Sequence, residues 1–246
     1  MGTHFFCRGS KDRPVRCWKE EGHGSLTFSE AFAQSCNPAF VKIGLDLGPN
    51  KIIQYARSLG LENQLIVGFP VTADSRQNLN RIADRYNLVN SSVGQGPVLA
   101  TPVQITAMMN TMANAGVYLQ PRLVKEIRPN RGKSIIMEPL PAVKVLSPEV
   151  ARQISDLLTL VTTEGVGQKA WVAPGGSAGK TGSAQLANGV EGVNAWFSGY
   201  GPLNNPRYTV TVLVREGVSG GETAAPVFKE IMTELLKSES LSSGSQ

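Results

Sequence analysis

Three runs of residues in the last third of the chain favour extended structure, and they restrict the fold more than any other feature. They are Ser177–Leu186, Asn194–Tyr200 and Tyr208–Val214. The breaks between them hold Asn188-Gly189 and Asn204–Pro206, which are residue types typical of tight turns. Short turns between successive strands predict an antiparallel meander of three strands.

Helix signals dominate the residues before this meander. Thr27 and Glu30 form a capping-box pattern, and several later segments open with proline and carry apolar residues at helical spacing. The predicted helices begin at or near Thr27, Pro38, Pro49, Thr101, Ser147 and Thr223, and the last ends near Lys237. Helices on either side of an antiparallel β-sheet indicate an α+β fold.

The remaining segments are predicted to be less regular. Residues 1–24 are expected to be irregular and residues 61–100 a long loop, while 123–127 and 134–137 read as a short strand pair. We expect one domain over residues 1–238 and a disordered polar tail over 239–246.

Composition excludes several classes of protein. The chain has 246 residues, of which 41% are hydrophobic and 17% charged, as in an ordinary globular protein. It contains no apolar run of about 18 residues and no signal-peptide pattern at its start. The net charge of +5 is dispersed, without a basic stripe interleaved with aromatic residues. We therefore expect no nucleic-acid partner.

The three cysteines, Cys7, Cys17 and Cys36, leave two interpretations open. Cys7 and Cys17 flank a polar loop, and with His4 and His23 nearby one interpretation is a zinc site. Their spacing matches no common zinc knuckle, which favours a loop with free or paired thiols. We accordingly predict no metal and no cofactor.

The first predicted strand of the meander carries a group of candidate site residues. Lys180 supplies a positive charge, and Thr181 and Ser183 supply hydroxyl donors. Gly182 has no side chain, so a ligand backbone can approach the strand. The alternative is that Lys180 is an exposed strand lysine that discourages edge pairing.

A second candidate group lies far upstream, where the first predicted helix ends. Ser35 offers a hydroxyl and Asn37 a carboxamide, one residue apart, just before Pro38. The alternative is that both residues only cap the helix that starts at Pro38. We expect this turn and the Lys180 strand to line a single crevice.

Six motifs in order show a resemblance to a known family. The chain resembles the C-terminal part of the transpeptidase domain of a class B penicillin-binding protein, one of the penicillin-recognising serine enzymes. The motifs are Gly22–Thr27, Ala31–Phe40, Ser92–Pro97 with Ala100–Gln104, Ala178–Gln185, Ala195–Gly199, and Gly220-Gly221 with Ala224–Phe228.

The resemblance implies a β-lactamase/transpeptidase-like fold and a peptidoglycan D,D-transpeptidase that cross-links stem peptides by serine acyl transfer. It implies β-lactam antibiotics as ligands, and cell-wall polymerase, elongation or division proteins as partners of the parent protein. The implied location is the extracytoplasmic face of the bacterial membrane, with the parent anchored there.

The resemblance also implies a role for each candidate residue. Ser35 would relay a proton to the leaving amine, helped by Lys180, while Asn37 would hold the substrate amide. Thr181 and Ser183 would bind the substrate carboxylate, and the Ser183 N–H would form half of the oxyanion hole. Gly182 would let the strand approach.

The nucleophile expected from the resemblance is a serine in a Ser-x-x-Lys motif upstream of Ser35. The only match in the chain is Ser177–Lys180, which overlaps the predicted strand. Residues three apart on a strand point to opposite faces, so this match does not suit a nucleophile and its lysine. We therefore expect the fold to be incomplete at its N-terminal side and the chain alone to be inactive. The alternatives are a non-catalytic scaffold or binding module, and a serine β-lactamase.

Overall fold

A computed structural model describes residues 4–63, 76–186 and 192–243 of the chain. In these parts, no helix is long and apolar enough to cross a lipid bilayer. The predicted turn at Asn188-Gly189 lies outside the described residues.

In the described residues, six short strands and six α-helices precede three long strands, and a last α-helix follows them. The strands are β1 (Phe5–Cys7), β2 (Gly24–Leu26), β3 (Val117–Tyr118), β4 (Glu126–Ile127), β5 (Ile135–Ile136), β6 (Val143–Lys144), β7 (Ala178–Gln185), β8 (Val193–Gly201) and β9 (Tyr208–Gly217). The α-helices are α1 (Phe28–Ala33), α2 (Asn37–Leu47), α3 (Pro49–Ser58), α4 (Arg85–Ser91), α5 (Pro102–Ala113), α6 (Pro148–Thr163) and α7 (Ala225–Ser243).

Side-chain caps explain where several helices begin. Thr27 and Glu30 form the predicted capping box at the start of α1. Thr101 and Gln104 form a second capping box before α5, and the Ser147 side chain caps α6. These contacts satisfy backbone N–H groups that the first helical turn leaves without a partner. The helix starts predicted at these positions are confirmed.

The predicted meander is confirmed as an antiparallel sheet with the order β7-β8-β9. Helix α7 covers one face, where Phe228 lies against Phe197 of β8 with ring centroids 4.7 Å apart. Helices α5 and α6 cover the other face, where Met109 and Leu158 pack with Tyr200. The α+β prediction, an antiparallel sheet flanked by helices, is therefore confirmed.

The long loop predicted over residues 61–100 is wrong for part of its length. A 3₁₀ helix spans Leu79–Ala83 and is followed directly by α4. The Asn78 side chain accepts a hydrogen bond from the Asn80 N–H, and Asp84 caps α4 in the same way. Asparagine and aspartate favour helix starts as well as loops, which is why composition alone misled the prediction. Residues 64–75 lie outside the described residues.

Both ends of the chain are more regular than predicted. Residues 1–24 were expected to be irregular, but Phe5–Cys7 forms β1 and pairs with β2 in an antiparallel ladder. Helix α7 continues to Ser243, six residues beyond the predicted end near Lys237. No glycine or proline occurs between Lys237 and Ser243, which favours a helix that continues past Lys237. Residues 244–246 lie outside the described residues.

Candidate active site

Ser35 occupies a strained turn at the C-terminal end of α1. Its N–H donates to the Phe32 carbonyl at 3.1 Å, and the Cys36 N–H donates to the Ala31 carbonyl at 2.9 Å. This pair of bonds is a Schellman motif, and Ser35 takes the left-handed position within it, with φ of 51°. Glycine is the usual residue there, because a side chain costs about 1–2 kcal/mol in this conformation. A serine at this position places its hydroxyl outside the helix at an energetic cost.

Lys180 lies on β7 and reaches this turn. Its Nζ donates a hydrogen bond to Ser35 Oγ at 2.8 Å and another to the Thr181 carbonyl at 3.2 Å. Loss of solvent around the partly buried ammonium lowers the pKa of Lys180 to about 8. An amine with this pKa both gives up and regains a proton near neutral pH, as a relay requires.

The rest of the predicted β7 group continues along the same strand. Ser183 Oγ accepts a hydrogen bond from the Gly220 N–H at 3.0 Å, which leaves the hydroxyl proton free to donate to a ligand. The Gln95 side-chain amide lies 3.4 Å from the Ser183 carbonyl. Thr181 Oγ1 is 3.5 Å from Lys180 Nζ. Three hydroxyl or amine groups are thus presented by one segment of strand.

Gly220 holds the neighbouring segment close to β7. A Cβ on Gly220 would lie 2.3 Å from the Trp196 carbonyl oxygen and 2.6 Å from that of Gly182. Only glycine permits this approach. The sequence placed Gly220 and Gln95 within motifs but gave neither a role, because their contacts with Ser183 depend on packing between distant segments.

Asn37 is the first residue of α2, next to the Ser35 turn. Its side-chain Nδ2 donates to the Arg16 carbonyl at 3.2 Å. Trp18 Nε1 donates to the Gln34 carbonyl at 2.9 Å. The segment around Arg16 and Trp18 therefore holds the Ser35 turn through two hydrogen bonds, a contribution that the sequence analysis missed.

The alternatives considered for these residues are not supported. The N-cap of α2 is Cys36, and no side chain makes a capping hydrogen bond there, so Ser35 and Asn37 do not act as helix caps. Lys180 is partly buried and bonded to Ser35, so it is not an exposed strand lysine.

Ser177 does not suit the role of nucleophile, as the strand argument predicted. It is fully buried, and its hydroxyl donates to the Ala170 carbonyl at 2.7 Å. Its own carbonyl accepts a hydrogen bond from Thr162 Oγ1 at 2.6 Å. A hydroxyl committed to a buried carbonyl has no access to a substrate.

Residues 2–233 match the penicillin binding protein transpeptidase domain. The chain belongs to this family. It is 32% identical over 235 residues to stage V sporulation protein D of Bacillus subtilis, and the alignment covers 90% of this chain and 36% of that protein. It is 31% identical over 221 residues to the peptidoglycan D,D-transpeptidase PbpA of Mycolicibacterium smegmatis. That alignment covers 87% of this chain and 44% of PbpA. The chain thus spans less than half the length of these relatives.

Solved structures show the same fold. Penicillin-binding protein 3 from Mycobacterium tuberculosis, complexed with aztreonam, superposes with a TM-score of 0.80 at 26% identity. The match covers 92% of this chain and 54% of that one. The D,D-transpeptidase domain of a peptidoglycan glycosyltransferase from Eggerthella lenta gives a TM-score of 0.81 at 24% identity, with 96% and 60% covered, and shows the fold alone.

Proposed function

We propose that this chain forms two walls of a serine D,D-transpeptidase site that cross-links peptidoglycan stem peptides and is acylated by β-lactams. The observation that carries the proposal is the 2.8 Å hydrogen bond from Lys180 Nζ to Ser35 Oγ. It joins the turn formed by Ser35–Asn37, called here the Ser-x-Asn turn, to the Lys180–Gly182 segment of β7. The lowered pKa of Lys180 suits proton transfer between the two.

The nucleophile in this proposal is a serine from a Ser-x-x-Lys segment outside the 246 residues. The one match within them begins at Ser177, whose hydroxyl is buried and hydrogen-bonded to the Ala170 carbonyl. Its oxygen forms a bond to the carbonyl carbon of the penultimate residue of a stem peptide. The C–N bond to the terminal residue then breaks. Ser35 gives its proton to the departing amine, Lys180 returns one to Ser35, and the proton released by the nucleophile's hydroxyl restores Lys180. An amine of a second stem peptide then attacks the acyl carbon. The C–O bond to the serine breaks as the cross-link forms, and the proton of the attacking amine returns to the serine.

Strand β7 holds the substrate during this step. The Thr181 and Ser183 hydroxyls donate hydrogen bonds to the terminal carboxylate of the stem peptide, which the Lys180 charge also attracts. The Ser183 N–H supplies one donor to the oxyanion, a contribution of roughly 2.7–4 kcal/mol to transition-state stabilisation. Gly182 allows the substrate backbone to lie against the strand, and the Asn37 carboxamide holds the substrate amide.

The same contacts would accept a β-lactam, whose carboxylate and strained amide correspond to those of the stem peptide. Structures of M. tuberculosis penicillin-binding protein 3 with aztreonam and with ampicillin, each 26% identical to this chain, support this ligand class. Peptidoglycan lies outside the cytoplasmic membrane. We therefore place the site on that face, in a membrane-anchored parent that works with cell-wall polymerase, elongation or division proteins.

The test is covalent labelling by a fluorescent penicillin. The full gene product, including any sequence encoded upstream of Met1, is expected to give a denaturation-resistant labelled band. The 246-residue chain alone is expected to give none. Ser35→Ala in the full gene product should slow labelling by about 10²–10⁴-fold, since general acid–base groups contribute that much. Ser58→Ala, an exposed serine on α3, is the matched control and should leave the rate unchanged.

Two results would overturn the proposal. If the full gene product takes no label, the scaffold or binding module becomes the better account. If it takes label but releases the hydrolysed penicillin rapidly, it is a β-lactamase. Slow release favours the transferase.

A further inference from the structure

The three cysteines of the chain and one histidine converge beside the candidate active site. Cys7 ends β1, Cys17 and His23 lie in the following loop, and Cys36 directly precedes α2. The three sulfur atoms and a ring nitrogen of His23 all lie within 4.8 Å of one another. All three cysteines are buried, and none forms a disulfide. Sequence spacing had argued against a zinc site, but the fourth member of the cluster is Cys36, not His4.

We propose that Cys7, Cys17, His23 and Cys36 bind a structural zinc ion. Zinc in such sites is tetrahedral, with Zn–S of about 2.3 Å and Zn–N of about 2.0–2.1 Å. A tetrahedron of those dimensions separates sulfur from nitrogen by about 3.6 Å and sulfur from sulfur by about 3.8 Å. His23 Nδ1 lies 3.5 Å from Cys7 Sγ and 3.2 Å from Cys17 Sγ. Both sulfur–nitrogen distances lie within about 0.4 Å of the tetrahedral value, and no two of the four ligand atoms are more than 4.8 Å apart.

Metal binding also explains why polar groups are concentrated in this part of the core. Among the described residues, the hydrogen-bond partners of His23 Nδ1 are the sulfur atoms of Cys7 and Cys17. Thiols are weak hydrogen-bond partners. The other ring nitrogen, Nε2, is buried without a hydrogen-bond partner in the described structure. His23 is half-buried, so weak partners at its ring nitrogens cost stability. A metal–nitrogen bond would replace the weak thiol contacts at Nδ1.

The ligand set points to zinc and to a structural role. Thiolate and imidazole ligands select zinc over magnesium or calcium, which prefer oxygen. Four protein ligands fill a tetrahedral shell and leave no position for water or substrate, as in structural sites and unlike catalytic ones.

The position of Cys36 gives the ion a second consequence, which rests on the proposed function. Cys36 stands between Ser35 and Asn37, and its sulfur is a ligand. The loop that supplies Cys17 also contacts this turn through the Arg16 carbonyl and the Trp18 side chain. The ion therefore ties the loop to the Ser-x-Asn turn and holds Ser35 in its left-handed conformation. The cluster is a positioning element for the relay serine.

The first experiment measures metal content. The chain, purified under reducing conditions, should contain one zinc per molecule by elemental mass spectrometry. Cobalt exchanged into the site should show thiolate-to-metal charge-transfer absorption. His23→Gln should lose the zinc and change the cobalt spectrum, whereas His4→Gln should keep both. His4 is the only other histidine in the chain and is exposed, so it is a matched control.

A second measurement uses the unmodified chain, so it does not depend on whether a variant folds. A chelator should lower the melting temperature and expose all three thiols to a thiol reagent. Added zinc, but not magnesium, should reverse both effects. Reduced chain that holds no zinc, thiols that react equally with and without chelator, or a disulfide in the freshly purified protein would each overturn the proposal.

These readouts involve no penicillin, so they separate this inference from the proposed function. Zinc binding together with failed labelling of the full gene product would remove only the transpeptidase assignment. Labelling without zinc would remove only the metal site. If both hold, chelation of the full gene product should slow its labelling.

Discussion

Lys180 donates a hydrogen bond to Ser35 across 145 positions of sequence, with Nζ and Oγ 2.8 Å apart. The bond joins the edge strand of the sheet to the end of the first helix. It requires Ser35 to remain in a conformation that favours glycine. The fold thus holds a costly backbone geometry at the position where the proposed chemistry needs a hydroxyl.

The backbone cost at Ser35 is measurable in the chain itself. Ser35→Gly and Ser35→Ala both remove the hydroxyl, but only alanine keeps a Cβ at φ of 51°. We expect the glycine variant to be more stable than the alanine variant by about 1 kcal/mol, as measured by urea denaturation. The same pair at Ser58, the last residue of α3, should show no preference for glycine. Equal stabilities of the two Ser35 variants would contradict the assigned conformation.

Burial of Lys180 should appear in the pH dependence of stability. Lysine titrates near 10.5 in the unfolded chain and near 8 in the folded one. Between these values the unfolded state binds more protons, so the free energy of unfolding rises as the pH increases through this window. Below pH 8 Lys180 is protonated in both the folded and the unfolded state, so the free energy of unfolding is lowered by the full cost of burying its charge.

The measurement for Lys180 compares urea denaturation of the wild type and Lys180→Gln across that window. The wild type should gain stability relative to the variant as the pH rises from about 8 to 10.5. Lys229→Gln, which removes an exposed lysine from α7, should follow the wild type. Parallel curves for wild type and Lys180→Gln would show that Lys180 titrates normally.

The close approach at Gly220 predicts a packing defect. Gly220→Ala places a methyl group against the backbone of Trp196 and Gly182, so the segment must move away from β7. We expect a loss of about 1–3 kcal/mol in the free energy of unfolding. In the full gene product we also expect slower labelling by fluorescent penicillin, because the Ser183 hydroxyl loses its N–H donor.

The control for Gly220 is Gly132→Ala, in an exposed turn where a Cβ meets nothing closer than 4.0 Å. Gly132 has a positive φ, which alanine adopts only at an energetic cost, so the change should reduce stability. It should leave the labelling rate unchanged. A Gly220→Ala variant that labels at the normal rate would show that the Gly220 contact does not support the site.

Local interactions were the part of this fold that the sequence could predict. The capping box at Thr27 involves residues three apart, so a short window contains the whole signal, and the helix start at Thr101 was likewise predicted from adjacent residues. The order of β7, β8 and β9 followed from their short connections. The Asn78 and Asp84 caps were missed because these residue types serve loops and helix starts equally.

Long-range packing decided the rest of the candidate site. The motifs identified Ser35 and Lys180, but only the fold shows that they bond directly. The contact between Gly220 and Gly182 arises where distant segments meet, and so does the place of Cys36 in the cysteine–histidine cluster. Neither contact leaves a periodic or local pattern in the sequence.

The most direct test of the central claim is a double-mutant cycle on acylation. The full gene product would be labelled with fluorescent penicillin as wild type, Ser35→Ala, Lys180→Gln and the double variant, and the second-order rate constants compared. If Ser35 and Lys180 act as one relay, the double variant should be about as slow as the slower single variant, because groups that act as a unit are not additive. Rate losses that multiply in the double variant would show that the two residues act independently, and would contradict the account.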